Sequence, residues 1–165
     1  MVPTPPFILA LREHVGHAPL WLMGATGLVL RERDSGTEVL LVRRRDTGEW
    51  TPISGIVDPG EHPATTIVRE AMEEASVVIE VERLLWLDVP PEITYANGDV
   101  CQYLDHGFRC RWVSGDPAVG DDESTEVAWF GVDALPQPRR VRLERMIQVA
   151  REDPRDVVLA LADAP

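Results

Sequence analysis

The stretch GIVDPGEHPATTIVREAMEEASV, from Gly55 to Val77, gathers four glutamates into a short span after the turn residues Asp58-Pro59-Gly60. Like charges at helical spacing repel one another, at a cost of roughly 0.2–0.5 kcal/mol per pair. Pro63 suits the first residue of a helix, where its missing N–H would be unpaired in any case. The stretch therefore predicts a helix from about Pro63 to Ala75 that carries an unusual amount of negative charge.

The predicted helix has two distinct faces. At about 100° per residue, the small and apolar positions share one face and are expected to pack on the core; they are Ala64, Ile67, Val68, Ala71 and Ala75. Glu70, Glu73 and Glu74 share another face through their i, i+3, i+4 spacing. Such a face is either a solvated acidic surface, which is the common outcome for a charge run, or a set of hard oxygen ligands for Mg²⁺ or Mn²⁺.

The spacing of the charged residues separates these interpretations. Gly55 is followed by five residues and Glu61, and seven further residues lead to Arg69-Glu70. The segment then continues as Ala71-Met72-Glu73-Glu74-Ala75-Ser76-Val77. This order resembles the signature of the Nudix hydrolases, with Ser76 standing where the family has glycine. The resemblance extends from about Leu20 to Ile147.

The resemblance implies a reaction and a set of roles. Members of the family cleave a diphosphate linkage, usually that of a nucleoside diphosphate joined to another group, by attack of water at phosphorus. Mg²⁺ or Mn²⁺ is the expected cofactor. The matching positions imply that Glu70, Glu73 and Glu74 hold the cations, that the carbonyl of Gly55 is a further ligand, and that Glu61 and Arg69 pair to hold the loop and the helix in shape.

Two further positions follow from the resemblance. A glutamate from a later loop often assists as a base or as an extra ligand, and its place ahead of Trp129 favours Glu123, with Glu126 as the second choice. Ser76 lies at the expected end of the helix, where a left-handed backbone is common. That conformation would cost serine on the order of 1 kcal/mol, but Ser76 lies past the carboxylates, so we expect the site to be retained.

Contacts to the substrate are expected from loops and strand ends. Arg43, Arg44 and Arg45 are candidates to contact phosphate, and we assign Arg43 and Arg45 to substrate binding; a solvated charge cluster is the equal alternative. Trp50 and Tyr95 are candidates to stack on a base or a sugar. For both aromatic residues the alternative is a structural role, such as closing the edge of the core.

The substrate itself is less clearly indicated. We expect a nucleotide sugar or an ADP-ribose-like compound, because Pro90-Pro91 lies where a proline is a loose feature of the ADP-ribose-cleaving branch. The same prolines would equally serve to end a strand. One alternative is a pyrophosphohydrolase of (deoxy)nucleoside triphosphates that cleanses the nucleotide pool.

Two other functions share the expected fold. A non-catalytic binding or sensor module is disfavoured by the intact Glu70, Glu73 and Glu74. An isomerase of isoprenoid diphosphates would need a catalytic cysteine, and neither Cys101 nor Cys110 has a convincing sequence context.

Composition limits the classes of function. The 165 residues suffice for one domain with a real core, and the net charge of −12 argues against binding nucleic acid through a basic face. No apolar run approaches the ~18 residues of a membrane span, and the N-terminus is not a signal peptide. Cys101 and Cys110 fit no metal or redox spacing and indicate small buried side chains in a reducing compartment. We therefore expect a cytoplasmic protein with a small nucleotide substrate, no nucleic-acid or membrane partner, and a homodimer as one option for its assembly.

The rest of the pattern predicts a mixed α/β fold. Strands are expected at Leu20–Leu30, Val39–Val42, Val77–Val89, Phe108–Trp112 and Val127–Phe130, with a hairpin turn at Asn97-Gly98. Helices are expected over residues 7–15 and about Arg139–Arg151, besides the acidic one. The expected architecture is an α/β/α sandwich with a mixed β-sheet, with a helical extension over 1–19, a Nudix domain over 20–150 and a tail over 151–165.

Overall fold

The fold is seen in a computed structural model that describes residues 4–161. Its helices are α1 (Pro6–Val15), α2 (Pro63–Ala75) and α3 (Leu143–Glu152). Its strands are β1 (Leu20–Arg33), β2 (Gly36–Arg44), β3 (Trp50–Thr51), β4 (Ile53–Ile56), β5 (Val78–Asp88), β6 (Ile93–Thr94), β7 (Val100–Ser114) and β8 (Ser124–Gly131). Residues 1–3 and 162–165, at the outer ends of the predicted extension and tail, lie outside the described residues.

The strands form one mixed sheet. Over residues 4–161 the sheet has eight strands, in which β3, β2, β1, β7 and β5 follow one another while β4, β6 and β8 pair with β1, β7 and β2. The pair β1–β7 is parallel, and the other pairs are antiparallel. The predicted mixed sheet is therefore confirmed.

Helices cover both faces of this sheet. Val29 of β1 belongs to the apolar cluster that contains Ile67 and Ala71 of α2. Its neighbours Leu28 and Leu30 belong to the cluster that contains Leu143, Met146, Ile147, Val149 and Ala150 of α3. Because successive side chains of a strand point to opposite faces, α2 and α3 lie on opposite sides of the sheet, as the predicted α/β/α sandwich requires.

The acidic helix has the bounds that its sequence predicts. His62 caps it by accepting a hydrogen bond from the Ala64 N–H through Nδ1 (3.2 Å), and Pro63 is its first residue. Ile67, Ala71 and Ala75 are buried against the sheet, but Val68, expected on the same face, is exposed. The packed stripe is therefore narrower than predicted.

The helix ends at Ser76 in the left-handed conformation that the sequence predicts. Its φ and ψ are 55° and 34°. The Ser76 N–H donates to the Met72 carbonyl (3.1 Å), and the Val77 N–H donates to the Ala71 carbonyl (3.3 Å). We expect Ser76→Gly to raise the free energy of unfolding by a few tenths to ~1 kcal/mol, because glycine adopts this conformation without steric cost. Urea denaturation would measure the change.

A matched control is available for this substitution. Ser114 ends β7 and, unlike Ser76, does not have a positive φ. Ser114→Gly should lower stability, because it only adds freedom to the unfolded chain. Equal changes in the free energy of unfolding for Ser76→Gly and Ser114→Gly would contradict the backbone strain assigned to Ser76.

The last helix begins four residues later than predicted. The chain before it pairs with β3 instead: the Trp50 N–H donates to the Pro138 carbonyl (2.9 Å), and the Arg140 N–H donates to the Trp50 carbonyl (3.1 Å). These bonds tie residues 138–140 to β3, so these residues are not helical, and α3 begins after them at Leu143. The predicted start at Arg139 is therefore wrong.

Both ends of the described chain are bound to the sheet by hydrogen bonds. Arg12 of α1 donates to the Val100 carbonyl (2.8 Å) and pairs with Asp99 (3.2 Å) ahead of β7. At the other end, the Val158 N–H donates to the Leu85 carbonyl (2.9 Å), and the Leu87 N–H donates to the Val158 carbonyl (3.0 Å). The segment after α3 thus pairs with the end of β5, on its outer edge at Leu85–Leu87.

Two expectations from composition can be compared with the structure. Cys101 and Cys110 are free and buried, as predicted. Among residues 4–161, no helix is both long and apolar enough to cross a membrane.

Candidate active site

The acidic side of α2 faces the end of strand β4. Pairing of β4 with β1 places Gly55 opposite Ala25, directly beside the helix. The side chain of Glu70 lies against the Gly55 backbone so closely that a Cβ on residue 55 would overlap the carboxylate, and even Glu70 Cγ would be only 2.6 Å away. Glycine at this position therefore lets a helix carboxylate approach the main chain of a neighbouring strand.

Arg69 fastens the preceding turn to the helix. Its Nε and Nη2 donate to Oε1 and Oε2 of Glu61 (3.1 and 3.0 Å), and the Thr66 hydroxyl donates to Glu61 Oε2 (2.8 Å). The hydrogen bonds from Arg69 hold the pKa of Glu61 at about 2. The pair that the resemblance implies is thus present, and it closes the turn onto α2.

The remaining nitrogen of Arg69 contacts two of the three helix carboxylates. Nη1 donates to Glu70 Oε1 (2.9 Å) and to Glu73 Oε2 (3.0 Å). Glu70 is largely buried, and burial raises its pKa to about 7 although Arg69 opposes the shift. Arg69 therefore neutralises part of the charge of this face.

Glu74 is the most deeply buried carboxylate of the site. It is 4% exposed, and its Oε2 has no hydrogen-bond partner. Burial, followed by the charges of Glu70, Glu123 and Asp121, raises its pKa well above the ordinary range. A buried carboxylate among other acids is costly unless a cation neutralises it.

The stability of the metal-free protein should depend on pH in a definite direction. Glu70 has a folded pKa of about 7 against 4.5 as its ordinary value, so between these values the folded chain binds more protons than the unfolded chain. Its contribution is complete below pH 4.5 and is lost as the pH rises toward 7. We expect the free energy of unfolding in EDTA to fall over this range, with Glu74 acting in the same direction.

Comparison with Glu70→Gln isolates this effect. The variant cannot titrate at residue 70, so the difference in unfolding free energy between it and the parent should grow from pH 5 to pH 7. Glu61 stays out of this comparison, because its folded pKa of about 2 affects stability only in more acidic solution. A difference that shrinks as the pH rises would contradict the burial of Glu70.

Of the two candidate glutamates ahead of Trp129, Glu123 ends the acidic loop, residues 115–123, and Glu126 lies in β8. Glu123 is half-buried, its charge acts on Glu70 and Glu74, and burial raises its pKa. Glu126 is exposed and pairs with Arg43 (2.6 Å). The electrostatics therefore favour Glu123, the first choice from the sequence, and its part in the reaction stays a prediction.

The three consecutive arginines have different surroundings. Arg43 donates to Glu126 and to the Gly48 carbonyl (3.0 Å), and Arg45 donates to the carbonyls of Asp122 (2.7 Å) and Ser124 (3.3 Å). Both are thus bound within the protein, and their assignment to substrate binding stays a prediction.

Arg44 is the arginine whose charge reaches the carboxylates. Asp46 holds it through two hydrogen bonds (2.6 and 2.8 Å), which raise its pKa, and the charges of Glu123 and Glu74 act in the same direction. The sequence named Arg44 only as one of three. The nearby Asp46, a carboxylate that could orient the guanidinium, was the sequence feature that could have distinguished Arg44 from its two neighbours.

The two aromatic candidates lie in different places. Trp50 is 6% exposed and packs edge-to-face on Phe130, with ring centroids 4.7 Å apart. Tyr95 precedes the Asn97-Gly98 turn and shares a hydrogen bond with the Tyr103 hydroxyl (2.8 Å). Trp50 thus belongs to the core. Substrate contact by either residue stays a prediction.

The residues of this site suit a divalent cation, although their side chains are not yet gathered around one point. Within residues 4–161, no three histidine, cysteine or acidic side chains form a finished ligand set. Glu70 and Glu73 are drawn to Arg69, whereas Glu74 Oε2 is buried without a partner. Hard oxygen donors of this kind fit Mg²⁺ or Mn²⁺.

Comparison with known sequences gives a family match and partial relatives. The sequence model of the NUDIX domain matches residues 21–150. The NAD-capped RNA hydrolase NudC of Pseudomonas putida (strain GB-1) is 32% identical over 107 residues, which are 61% of this chain and 34% of that protein. The protein of the same name from Pseudomonas aeruginosa (strain LESB58) is 36% identical over 103 residues, with the same coverage. The chain thus spans about a third of the length of these curated relatives.

Solved structures with the same fold superpose on this chain. A MutT NUDIX hydrolase from Burkholderia pseudomallei superposes with a TM-score of 0.60 at 28% identity, over 78% of this chain and 97% of that one. An ADP-ribose pyrophosphatase from Streptococcus suis 89-1591 gives a TM-score of 0.64 at 18% identity, over 84% and 97% of the two chains. At that lower identity the likeness concerns the fold alone.

Proposed function

The chain belongs to the NUDIX family, and from this premise we propose that it is a divalent-metal-dependent hydrolase of diphosphate linkages. The observation that carries the proposal is the buried, unpartnered carboxylate of Glu74 beside Glu70 and Glu123. Nudix hydrolases generally use divalent metals, and Mg²⁺ or Mn²⁺ fits the oxygen donors here. Glu70, Glu73, Glu74 and the Gly55 carbonyl would hold the ion.

The proposed reaction is hydrolysis at phosphorus. A bound divalent cation would supply charge neutralisation for the diphosphate and a lowered pKa for a coordinated water. Glu123 would accept one proton of the attacking water. A bond from the water oxygen to phosphorus forms, the bond from phosphorus to the bridging oxygen breaks, and two monophosphate products result.

Arg44, whose charge interacts with those of Glu74 and Glu123, would bind the phosphate groups of the substrate. Asp46 holds the guanidinium in a bidentate pair, so its orientation is fixed before a substrate arrives. A guanidinium matches the geometry of phosphate oxygens. It would also offset the repulsion that a chain of net charge −12 exerts on an anionic substrate.

We propose that the substrate is a nucleoside diphosphate joined to a further group, such as ADP-ribose, a nucleotide sugar or a dinucleotide. The relatives at 32–36% identity are named for hydrolysis of NAD-capped RNA, and NAD itself contains a diphosphate between two nucleosides. Because this chain spans only a third of their length, the RNA part of that name is not carried over. The expectation of no nucleic-acid partner stays a prediction.

A substrate panel tests this proposal. Turnover would be measured with Mg²⁺ and with Mn²⁺ on ADP-ribose, NAD, UDP-glucose and deoxynucleoside triphosphates, with the Glu74→Gln variant as a control for contaminating enzymes. We expect the highest kcat/KM for a diphosphate-linked compound. A tenfold preference for a triphosphate, about 1.4 kcal/mol of transition-state stabilisation, would instead support a pyrophosphohydrolase of the nucleotide pool. Binding of these compounds without any turnover would support the sensor module.

A further inference from the structure

The acidic loop, residues 115–123, lies on the C-terminal end of α2. Two of its N–H groups donate to the last carbonyls of that helix: Ala118 to Ala75 (3.1 Å) and Gly120 to Glu74 (3.1 Å). The final carbonyls of a helix have no partner within the helix. The loop therefore provides partners for these carbonyls and is itself fixed in place. One of the bonds is made to the main chain of Glu74, whose carboxylate belongs to the candidate site.

Two glycines permit this close approach of backbone to backbone. A Cβ on Gly120 would overlap the Glu73 carbonyl oxygen and lie 3.1 Å from the Glu73 carbonyl carbon. Gly115 has a φ of +97°, and a Cβ there would be 2.8 Å from the Ser76 carbonyl oxygen. No larger residue fits at either position without moving the loop away from α2.

Arg45 holds the other half of the same loop. Its N–H donates to the Glu123 carbonyl (2.8 Å), and its side chain donates to the carbonyls of Asp122 and Ser124. The Glu123 N–H in turn donates to Asp121 Oδ1 (2.8 Å). The backbone on both sides of Glu123 is thus fixed by Arg45, directly after β2, while Gly120 fixes the loop to α2.

We propose that Gly120 and Arg45 are positioning residues, which hold the acidic loop between α2 and β2 so that the Glu123 carboxylate faces Glu74. This role rests on the proposed function, in which Glu123 is the base beside the metal-binding carboxylates and adds its charge to theirs. It also gives Arg45 a task other than contact with phosphate. A shift of the loop would separate Glu123 from Glu74 and weaken the attraction of their combined charge for a cation.

Binding of Mn²⁺ in the absence of substrate tests the proposal. Free Mn²⁺ would be measured by electron paramagnetic resonance, and folding would be followed separately by urea denaturation. We expect Gly120→Ala to raise the Kd for Mn²⁺ about tenfold, an estimate from loss of one carboxylate's interaction. Gly131→Ala is the matched control: it adds the same methyl group, its nearest neighbour would be 3.9 Å away, and its Kd should stay within about twofold of the parent.

A double-variant cycle separates positioning from general damage. In a Glu123→Gln background the carboxylate is already gone, so Gly120→Ala should change the Kd less than about twofold. An equal effect of Gly120→Ala in both backgrounds, or an unchanged Kd in the single variant, would overturn the proposal. If Gly120→Ala does not fold, Arg45→Met takes its place under the same criteria, because it removes two hydrogen bonds without adding bulk. Lack of hydrolysis by the parent protein would overturn the proposed function and leave this Mn²⁺ comparison intact.

Discussion

Glu74→Gln is expected to lower turnover by at least about 10²-fold, because it removes the charge of the most buried carboxylate while keeping its shape. Loss of one such electrostatic contribution at a metal-assisted site corresponds to several kcal/mol of transition-state stabilisation. The measurement is kcat on the best diphosphate substrate at saturating Mg²⁺. Glu80→Gln, on the exposed face of β5, should leave turnover unchanged.

The same substitution should have the opposite effect on stability. In EDTA the buried charge of Glu74 lacks a hydrogen-bond partner at Oε2, so a neutral side chain of equal size should raise the free energy of unfolding. Activity and metal-free stability should therefore change in opposite directions. Normal Mg²⁺-dependent turnover in Glu74→Gln would contradict the assignment of the site to this carboxylate.

Gly55→Ala should also reduce turnover by about 10²-fold, for a steric reason. Its new methyl group would occupy the space of the Glu70 carboxylate, so either the side chain or strand β4 must move. Forcing an extra methyl group into a packed site usually costs ~1–3 kcal/mol of stability, and displacement of a metal-binding carboxylate adds the catalytic loss. Turnover and urea denaturation would be measured together.

Gly24→Ala provides the control for Gly55→Ala. Gly24 lies on the neighbouring strand opposite Ile56, and the nearest atom to an added Cβ would be Tyr103 Cδ1 at 3.6 Å, an ordinary contact. We expect this variant to fold and to turn over substrate at the parent rate. If Gly55→Ala behaves in the same way, Glu70 is not held against residue 55 during the reaction.

Local signals predict the acidic helix well because the residues that mark its start, its buried face and its end all lie within it or next to it. Pro63 marks its start, and the spacing of Ile67 and Ala71 marks its buried face. Ser76, at the position where the family has glycine, marks its end. The Arg69–Glu61 pair also lies within one turn and the adjoining loop. Such short-range features can be inferred from one sequence.

Features that depend on bonds between distant segments were not predicted. The start of α3 is set by main-chain bonds to Trp50, about 90 residues earlier in the chain, and nothing near Arg139 indicates them. The place of the acidic loop on α2 likewise depends on long-range pairing. Gly115 and Gly120 were the sequence features that indicate this packing, since glycine often marks a close approach of two backbones.

The segment that follows α3 has a consequence beyond the active site. It occupies the outer edge of β5 through the two bonds of Val158, and the Leu161 N–H donates to Asp88 (3.1 Å), which also pairs with Arg142. An uncovered strand edge offers a row of unpaired N–H and C=O groups to any other chain that can add a strand. Residues 153–161 therefore cover the end of this edge, at Leu85–Leu87, against pairing with another chain. Shortening the chain ahead of Val158 would expose that edge, and the defect would appear first as aggregation at high protein concentration rather than as a change in chemistry.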